Sequence, residues 1–333
     1  MQDIDTRALP PQWQPLLERA ANELRRLALN EDAKARFCND PSLRPFMHRV
    51  ARRYVAGQSI GDAVQRVIEI NRRGHAASAD YMGESCRDQA KANAETDVFL
   101  ALIDAVKANR LNCSISLDLS HIGSLVDPEL GYRNAHRIAS AAADAGLEVM
   151  ISMEGSDRAD NIYATYERLH AEAGRSNVGI TIPARLYRSD SDMPKLMRLP
   201  GRIRLIKGAF LESGQVACGR NDPELIERFL RFATELLSRG HKCSIATHDR
   251  SLQQHLVALI ERLQVERHRY EFESLLGLGT EQVDDLQRRG FPTREYAVFG
   301  QENFLYVLNR IAEQPLRVYQ AVVDVLEDVA EVR

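Results

Sequence analysis

The feature that most constrains the fold is a regular alternation of short apolar runs and amphipathic segments, which begins near residue 76. Such an alternation is typical of strands and helices in a parallel β/α architecture. About eight units over roughly 240 residues favour a closed (β/α)8 TIM-type barrel. The predicted strands are HAASADYM, CSISLDL, EVMISM, VGITI, RIRLIKGAF, KCSIATH, RYEFESLL and REYAVFG.

An open doubly wound sheet is the competing α/β fold. It commonly carries a G-x-G-x-x-G turn that opens a helix after the first strand, and no such turn follows the first predicted strand here. Two connecting segments begin with Asp-Pro-Glu-Leu, at Asp127 and at Asp222. An Asp N-cap followed by Pro is a strong helix start, so both segments fit the helices that a barrel requires.

The chain before the alternation is predicted to be a helical extension. Residues 11–73 show two apolar stripes with helical spacing, and Gly74 is a suitable stop. We therefore expect an N-terminal arm over residues 1–75, a catalytic barrel over 76–315 and a helical tail over 316–333. Apolar residues of the tail predict packing on the barrel or a contact in a homo-oligomer.

Composition excludes several classes of function. The net charge is -3, so no affinity for nucleic acid is expected. The five scattered cysteines are typical of free thiols in a reducing compartment. The sequence contains no stretch of about 18 uninterrupted apolar residues, so no membrane segment is predicted. It does not begin with a basic region followed by an apolar one, so no signal peptide is predicted. We expect a cytoplasmic protein.

Polar residues stand at the carboxyl ends of nearly all the predicted strands, where (β/α)8 enzymes place their active sites. The fifth strand carries Arg204 and Lys207 beside Gly208 and Ala209, which suits a phosphate or an electron-rich ring. Neither paired cysteines nor an H-x-H or H-E-x-x-H motif is present, so no metal site is expected. The other strand-end residues are Asp80, Glu84, Asp118, His121, Ser152, Glu154, Arg185, Thr247, His248, Asp249, Glu271, Glu273 and Tyr296.

The motifs RIRLIKGAF, ATHD, YEFESLLG and GQENFLYVLNRIAE, taken in order, resemble the proline dehydrogenase family. The resemblance runs from RRYVAGQSIGDAV at residues 52–64 to about residue 315. It implies an FAD enzyme on a (β/α)8 barrel that oxidises proline to pyrroline-5-carboxylate. The electron acceptor, quinone or oxygen, leaves no signature in the sequence.

The resemblance assigns roles to individual residues. Arg204 matches the arginine that approaches flavin N5, where a fixed cation would stabilise the charge that develops on hydride transfer. Tyr296 and Tyr306 match tyrosines that pack around the proline ring. The cofactor-binding residues implied are Arg204, Lys207, Gly208, Ala209, Thr247, His248, Glu273, Arg310 and Glu313, and those implied for substrate and catalysis are Arg204, Asp118, Tyr296, Tyr306, Arg310 and Glu84.

The substrate-carboxylate part of the family pattern is changed. The family has Lys where this chain has Asp118, and Asp where it has Ser152. Of two adjacent family arginines only Arg310 remains, after Asn309, so Glu84 loses the partner that the family gives it. Glu273 replaces a Gln, and Pro183-Ala184-Arg185 replaces Gln-Ala-Tyr. Removing one member of a buried ion pair typically costs about 3–5 kcal/mol, so proline should bind poorly unless Arg185 compensates.

Three functions are compatible with this pattern. The first is an FAD-dependent oxidoreductase of the family that acts on a proline-like or other cyclic or secondary amine rather than on free proline. The second is a genuine L-proline or hydroxyproline dehydrogenase with a rebuilt carboxylate site. The third is a flavin-binding or non-catalytic barrel with a regulatory or assembly role.

Overall fold

Eight parallel strands close into a barrel in the computed structural model, which describes residues 10–83 and 85–331. Each strand pairs with its neighbours in chain order, and the first pairs with the eighth. The predicted (β/α)8 barrel is confirmed, with each predicted run supplying one strand. The strands are β1 (Ala76–Tyr81), β2 (Cys113–Leu117), β3 (Val149–Ile151), β4 (Val178–Pro183), β5 (Ile203–Ile206), β6 (Cys243–Ala246), β7 (Tyr270–Leu275) and β8 (Thr293–Phe299).

Helices connect the strands and extend the chain at both ends. Asp127 and Asp222 cap their helices as predicted, each accepting a hydrogen bond from a backbone N–H two residues later, ahead of a proline at the first position. The helices are α1 (Gln14–Ala28), α2 (Glu31–Asn39), α3 (Arg44–Arg52), α4 (Ile60–Arg72), α5 (Gln89–Ala108), α6 (Pro128–Asp144), α7 (Ala159–Ala171), α8 (Ser189–Leu196), α9 (Pro223–Ser238), α10 (Arg250–Leu263), α11 (Thr280–Arg288), α12 (Phe304–Glu313) and α13 (Arg317–Glu331).

The two faces of the barrel sheet differ in polarity. Along β2, Ile115 and Leu117 are fully buried in the apolar layer that the helices cover. The alternate residues Ser114 and Ser116 bond inside the barrel to Ser78 of β1 and to Ser152, which directly follows β3. Because successive side chains of a strand point to opposite faces, this alternation gives the barrel a polar interior that leads to its carboxyl end.

The helices before β1 pack on the closing strands and on α12. Helix α4 lies against β1 and β8, and α1 lies along α12, which follows β8. Helix α13 packs on α3, where Arg53 and Asp324 pair. The proposed division at residues 75 and 315 stays a prediction, as does the association of copies.

Two further observations concern the described residues. None of their helices is both long enough and apolar enough to cross a membrane. All five cysteines are free thiols, as expected, and Cys113 and Cys243 are buried at the starts of their strands.

Candidate active site

Arg204 lies in the centre of the barrel when viewed along its axis, near the carboxyl ends of the strands. Its side chain is almost fully buried, and its Nε donates to Thr181 at 3.0 Å and its Nη2 to Ser152 at 3.0 Å. Both terminal nitrogens lie 3.3 Å from the Ser116 hydroxyl. Glu273 pairs with Nη1 at 3.4 Å; burial raises the pKa of Glu273, while Arg204 lowers it. Side chains of β2, β4 and β7, and of the residue that follows β3, therefore fix one guanidinium.

Two carboxyl groups face this guanidinium from β1 and from the end of β2. The Tyr296 hydroxyl donates a short hydrogen bond to Asp80, and Arg204 lies over the Tyr296 ring with its Cζ 5.1 Å from the centroid. Asp118 interacts with Asp80, with Arg204 and with the Ser152 hydroxyl. The acid that stands where the family has Lys thus points into the barrel, toward a second acid.

Burial makes both carboxyl groups weak acids. Burial raises the pKa of Asp80 to about 7, although the hydrogen bond from Tyr296 and the charge of Arg204 both lower it. Burial raises the pKa of Asp118 well above its usual range, and the carboxylates of Asp80 and Glu154 raise it further. Because two acids that share a site cannot readily both ionise, the pair holds a proton near neutral pH and can accept a cation in its place.

The loop after β5 continues from Arg204 to the barrel rim. Lys207 pairs with Asp249, at the start of α10, at 2.8 Å. Gly208 has a φ of +109°, a conformation that glycine adopts without strain, and the carbonyl of Ala209 accepts from Arg220. On the neighbouring strand end the Thr247 hydroxyl accepts from the Asp249 backbone N–H at 3.1 Å.

Arg185 does not contribute a free cation to this region. Its Nε and Nη2 donate to the carbonyl of Cys218, at 3.1 Å and 2.8 Å. Its Nη1 donates to the carbonyl of Phe210 at 2.7 Å. The side chain therefore supports the loop after β5, and its donors are used on backbone carbonyls rather than directed at a substrate carboxylate.

Helix α12 contributes Tyr306, Arg310 and Glu313. Arg310 pairs with Glu313 at 2.8 Å through Nη2, and its Cζ lies 5.1 Å from the centre of the Tyr306 ring. The Tyr306 hydroxyl and the Arg310 Nε are buried, and neither has a hydrogen-bond partner among the described residues. Burial raises the pKa of Tyr306 to about 12; Arg310 lowers it, whereas Glu313 and Asp80 raise it. The helix thus brings unused hydrogen-bonding groups toward the acids of the barrel.

The structure groups the sequence-predicted residues into three neighbouring sets. Glu84 lies outside the described residues, and His248 is partly buried beside Thr247. The sets are the barrel interior (Arg204, Asp118, Glu273, Tyr296), the strand-end loops (Lys207, Gly208, Ala209, Thr247, His248) and α12 (Tyr306, Arg310, Glu313).

Ser116 and Thr181 contact Arg204 but were not predicted as site residues, and Asp80, which bonds to Tyr296, was predicted as a strand-end residue without an assigned role. Their signal is present in the sequence. On β1 and β2 polar residues alternate with apolar ones, and this period of two marks inward-facing positions of a barrel strand. Among the described residues there is no group of three or more His, Cys, Asp or Glu side chains arranged to hold a metal ion.

The sequence profile of the proline dehydrogenase family matches residues 63–313. Proline dehydrogenase 1 of Bacillus subtilis (strain 168) is 33% identical over 269 residues, which cover 80% of this chain and 87% of that protein. Proline dehydrogenase of Deinococcus radiodurans is 31% identical over 272 residues, 81% of this chain and 87% of that protein.

The fold is also similar to that of a solved structure. Proline utilization A from Bdellovibrio bacteriovorus, inactivated by N-propargylglycine, superimposes with a TM-score of 0.76 at 17% identity. The match covers 91% of this chain but only 37% of the other, so this chain spans little more than a third of that protein. At this identity the likeness concerns the fold.

Proposed function

Because the chain belongs to the proline dehydrogenase family, we propose that it is an FAD-dependent oxidoreductase that removes a hydride from the carbon next to an amine nitrogen and leaves an imine. The substrate is a proline-like or other cyclic or secondary amine rather than free proline. The observation that carries the proposal is the position of Asp118, which faces Asp80 inside the barrel where the family has Lys.

The residues of the barrel rim fit FAD by their chemistry. Lys207 and the Thr247 hydroxyl lie at adjacent strand ends and suit the anionic and hydroxyl groups of the cofactor. Gly208 has no side chain and a positive φ, so the backbone at this position can lie close to the cofactor. The cofactor-binding set that we propose also includes Ala209, His248, Glu273, Arg310 and Glu313.

FAD, when bound, supplies the hydride acceptor. The contribution of the chain is a fixed positive charge at Arg204, held by Thr181, Ser152 and Glu273. A cation held in place in this way needs no reorganisation when negative charge develops nearby. Arg204 is therefore the residue whose loss should slow the chemical step most.

The Asp80–Asp118 pair supports proton removal from the substrate. A hydride leaves readily from a carbon beside an amine nitrogen only when the nitrogen lone pair is free, so a bound ammonium must first lose a proton. A carboxyl with a pKa of about 7, such as Asp80, is suited to that transfer near neutral pH. Tyr296 orients Asp80 through its hydroxyl.

Free proline fits this pocket poorly because of its carboxylate. That group sits on the carbon next to nitrogen, so it would lie beside the acids that bind the amine. Arg310 already pairs with Glu313, and Arg185 is engaged by backbone carbonyls. The genuine proline or hydroxyproline dehydrogenase remains the second candidate, which the presence of Tyr296, Tyr306 and Arg310 favours.

Turnover with an artificial dye as electron acceptor tests the proposal. We expect pyrrolidine, which lacks the carboxylate, to exceed proline in kcat/KM. The double variant D118K/S152D restores the family residues and should raise kcat/KM for proline at least about tenfold. This increase corresponds to about 1.4 kcal/mol of transition-state stabilisation. D118N is the matched control, because it removes the negative charge without adding a cation. Robust turnover of millimolar proline by the unchanged enzyme would select the second candidate.

The remaining parts of the proposal concern setting and partners. We propose a cytoplasmic enzyme that passes electrons to a quinone or to oxygen. Stopped-flow reoxidation distinguishes the two acceptors when the reduced protein is mixed in separate runs with an anaerobic solution of a soluble quinone and with oxygenated buffer.

A further inference from the structure

Two buried glutamates lie two residues apart on β7, and both point into the barrel. Because alternate residues of a strand face the same side of a sheet, Glu271 and Glu273 stand one above the other along the interior. Glu273 is nearer the carboxyl end of the strand, and it is the one that contacts Arg204. The surroundings of the two carboxyl groups differ, and the difference indicates which of them can gain a proton.

Glu271 is held firmly as a carboxylate. Its Oε1 accepts from the Nε of Arg294 at 2.7 Å and from the Ser244 hydroxyl, and the Nη1 of Arg202 lies 3.4 Å away. Burial raises the pKa of Glu271, but Arg294 and Arg202, together with the bond from Ser244, lower it to about 2. A carboxylate paired in this way does not titrate near neutral pH.

Glu273 is held more loosely. Within residues 10–83 and 85–331 its carboxylate has one hydrogen-bond partner, the Nη1 of Arg204, at 3.4 Å. Charged groups that bond closely are usually separated by about 2.7–2.9 Å. The side chain of Glu273 is 3% exposed. Burial raises the pKa of Glu273, which stays above its ordinary value although Arg204 lowers it. Glu273 is therefore a buried carboxyl group that can take up a proton.

The charged groups that face Glu273 come from β5, β7 and β8 and from the residue before β5. They are Arg204 on β5, Arg294 on β8, Glu271 on β7 and Arg202 directly before β5. Arg294 and Arg202 already contact Glu271. Arg204, in contrast, makes its other bonds to neutral hydroxyl groups. The charge on Glu273 therefore depends chiefly on how strongly Arg204 attracts it.

We propose that Glu273 controls the reduction potential of the bound flavin by taking up one proton when the flavin is reduced and returning it on reoxidation. The inference rests on the proposed function, because it takes Arg204 as the cation beside the FAD. Negative charge that develops at the flavin attracts Arg204 and weakens its hold on Glu273, so the proton affinity of this carboxylate rises. By reciprocity, a proton on Glu273 favours reduction.

The step balances in protons and electrons. The hydride carries two electrons and one proton from the substrate carbon to the flavin. One further proton moves from water to a carboxylate oxygen of Glu273, where an O–H bond forms, and reoxidation reverses this transfer. A glutamine at residue 273 has no carboxyl group to protonate, so the exchange of Gln for Glu adds this coupling to the barrel.

Spectroelectrochemical titration of the flavin-loaded protein from about pH 5 to about pH 8 tests the inference. One proton taken up with two electrons lowers the midpoint potential by about 30 mV per pH unit, and a second proton doubles that slope. We expect the doubled slope over part of this range in the wild type, and the single slope throughout in E273Q. At the alkaline end the potential of E273Q should be higher by at least about 30 mV, a tenfold change in the equilibrium constant.

E281Q is the matched control, because it removes a negative charge from the exposed surface of α11. Its slope should equal that of the wild type. Infrared difference spectra between the reduced and oxidised proteins give an independent measurement. On reduction the wild type should gain the carbonyl band of a protonated carboxyl group, and E273Q should lack it.

The outcomes separate this inference from the proposed activity. Equal slopes in E273Q and the wild type, or no carboxyl band on reduction, overturn the inference and leave the proposed oxidoreductase intact. A protein that binds no FAD overturns both. If E273Q does not fold, the wild type decides, since the single slope at every pH contradicts the uptake of a second proton.

Discussion

At the scale of single residues, the chemistry of the barrel interior depends on which side chains are charged and which are protonated. Arg204 is held by hydroxyl groups and by Glu273, whereas Asp80 and Asp118 have raised pKa values. A lysine at residue 118 would pair with an acid, but an aspartate there can only share a proton with Asp80 or meet a cation. One substitution therefore changes what the pocket can recognise.

The raised pKa of Asp80 predicts a pH dependence of stability. Its carboxyl has a pKa of about 7 in the folded protein and near 3.8 when unfolded. Between these values the folded state holds a proton that the unfolded state releases, so the contribution of Asp80 is fully present below about pH 4 and is lost as pH rises through about 7.

Asp80→Asn removes this dependence. As the pH rises from about 4 to about 8, we expect the variant to become more stable relative to the wild type. The gain in free energy of unfolding is at most about 4 kcal/mol. Urea unfolding at several pH values measures it. Asp144→Asn, at an exposed helix end, is the control. Parallel stability curves for D80N and the wild type would contradict the assignment.

At the scale of structural elements, the loop between β5 and α9 determines the shape of the barrel rim. Arg185 supports it through the carbonyls of Phe210 and Cys218, and Arg220 contacts the carbonyl of Ala209. Gly208 lets the backbone turn directly after the strand that carries Arg204. The loop is thus held by cations, and its conformation depends on one glycine.

Gly208→Ala should disturb this loop. A Cβ atom at residue 208 would lie 2.8 Å from the Cγ and Cδ of Arg185, and the φ of +109° disfavours any side chain. We expect a loss of about 2 kcal/mol in the free energy of unfolding and weaker FAD retention, measured by thermal unfolding and by flavin absorbance.

Gly214→Ala is a matched control in the same loop, because nothing lies within 4 Å of its added Cβ. Its melting temperature and flavin content should stay close to those of the wild type. Equal effects of the two substitutions would show that the backbone conformation at residue 208 has no special importance.

At the scale of the whole molecule, the N-terminal arm acts as a support for α12. Helix α1 lies along α12, and Leu24 packs against apolar clusters that include Val307 and Leu308. The helix supported in this way carries Tyr306 and Arg310. Positions near the start of the chain therefore influence a pocket formed near its end.

Leu24→Ala should loosen α12 as well as α1. We expect a loss of about 2 kcal/mol in the free energy of unfolding, as for truncation of a packed leucine, with faster hydrogen exchange in the amides of α12. Leu16→Ala is the control on the same helix, since Leu16 is 53% exposed. If exchange in α12 does not change in L24A, the arm does not support that helix.

Much of the molecule was predictable from local patterns. The eight strands follow from their apolar runs and the capped helices from Asp-Pro starts, because these signals arise from neighbouring residues. The bond between Tyr296 and Asp80 was not predictable in this way. It joins residues more than 200 positions apart, and only closure of the barrel brings β1 and β8 together.

The sequence by itself determined the (β/α)8 barrel and the presence of an acid at residue 118, since backbone periodicity and residue identity are local properties. Only the tertiary structure decided that Asp118 faces Asp80, that Arg185 is engaged by the loop after β5, and that Arg25 reaches α12. The physical reason is that hydrogen bonds, burial and charge interactions depend on distances in space, which a linear pattern does not contain.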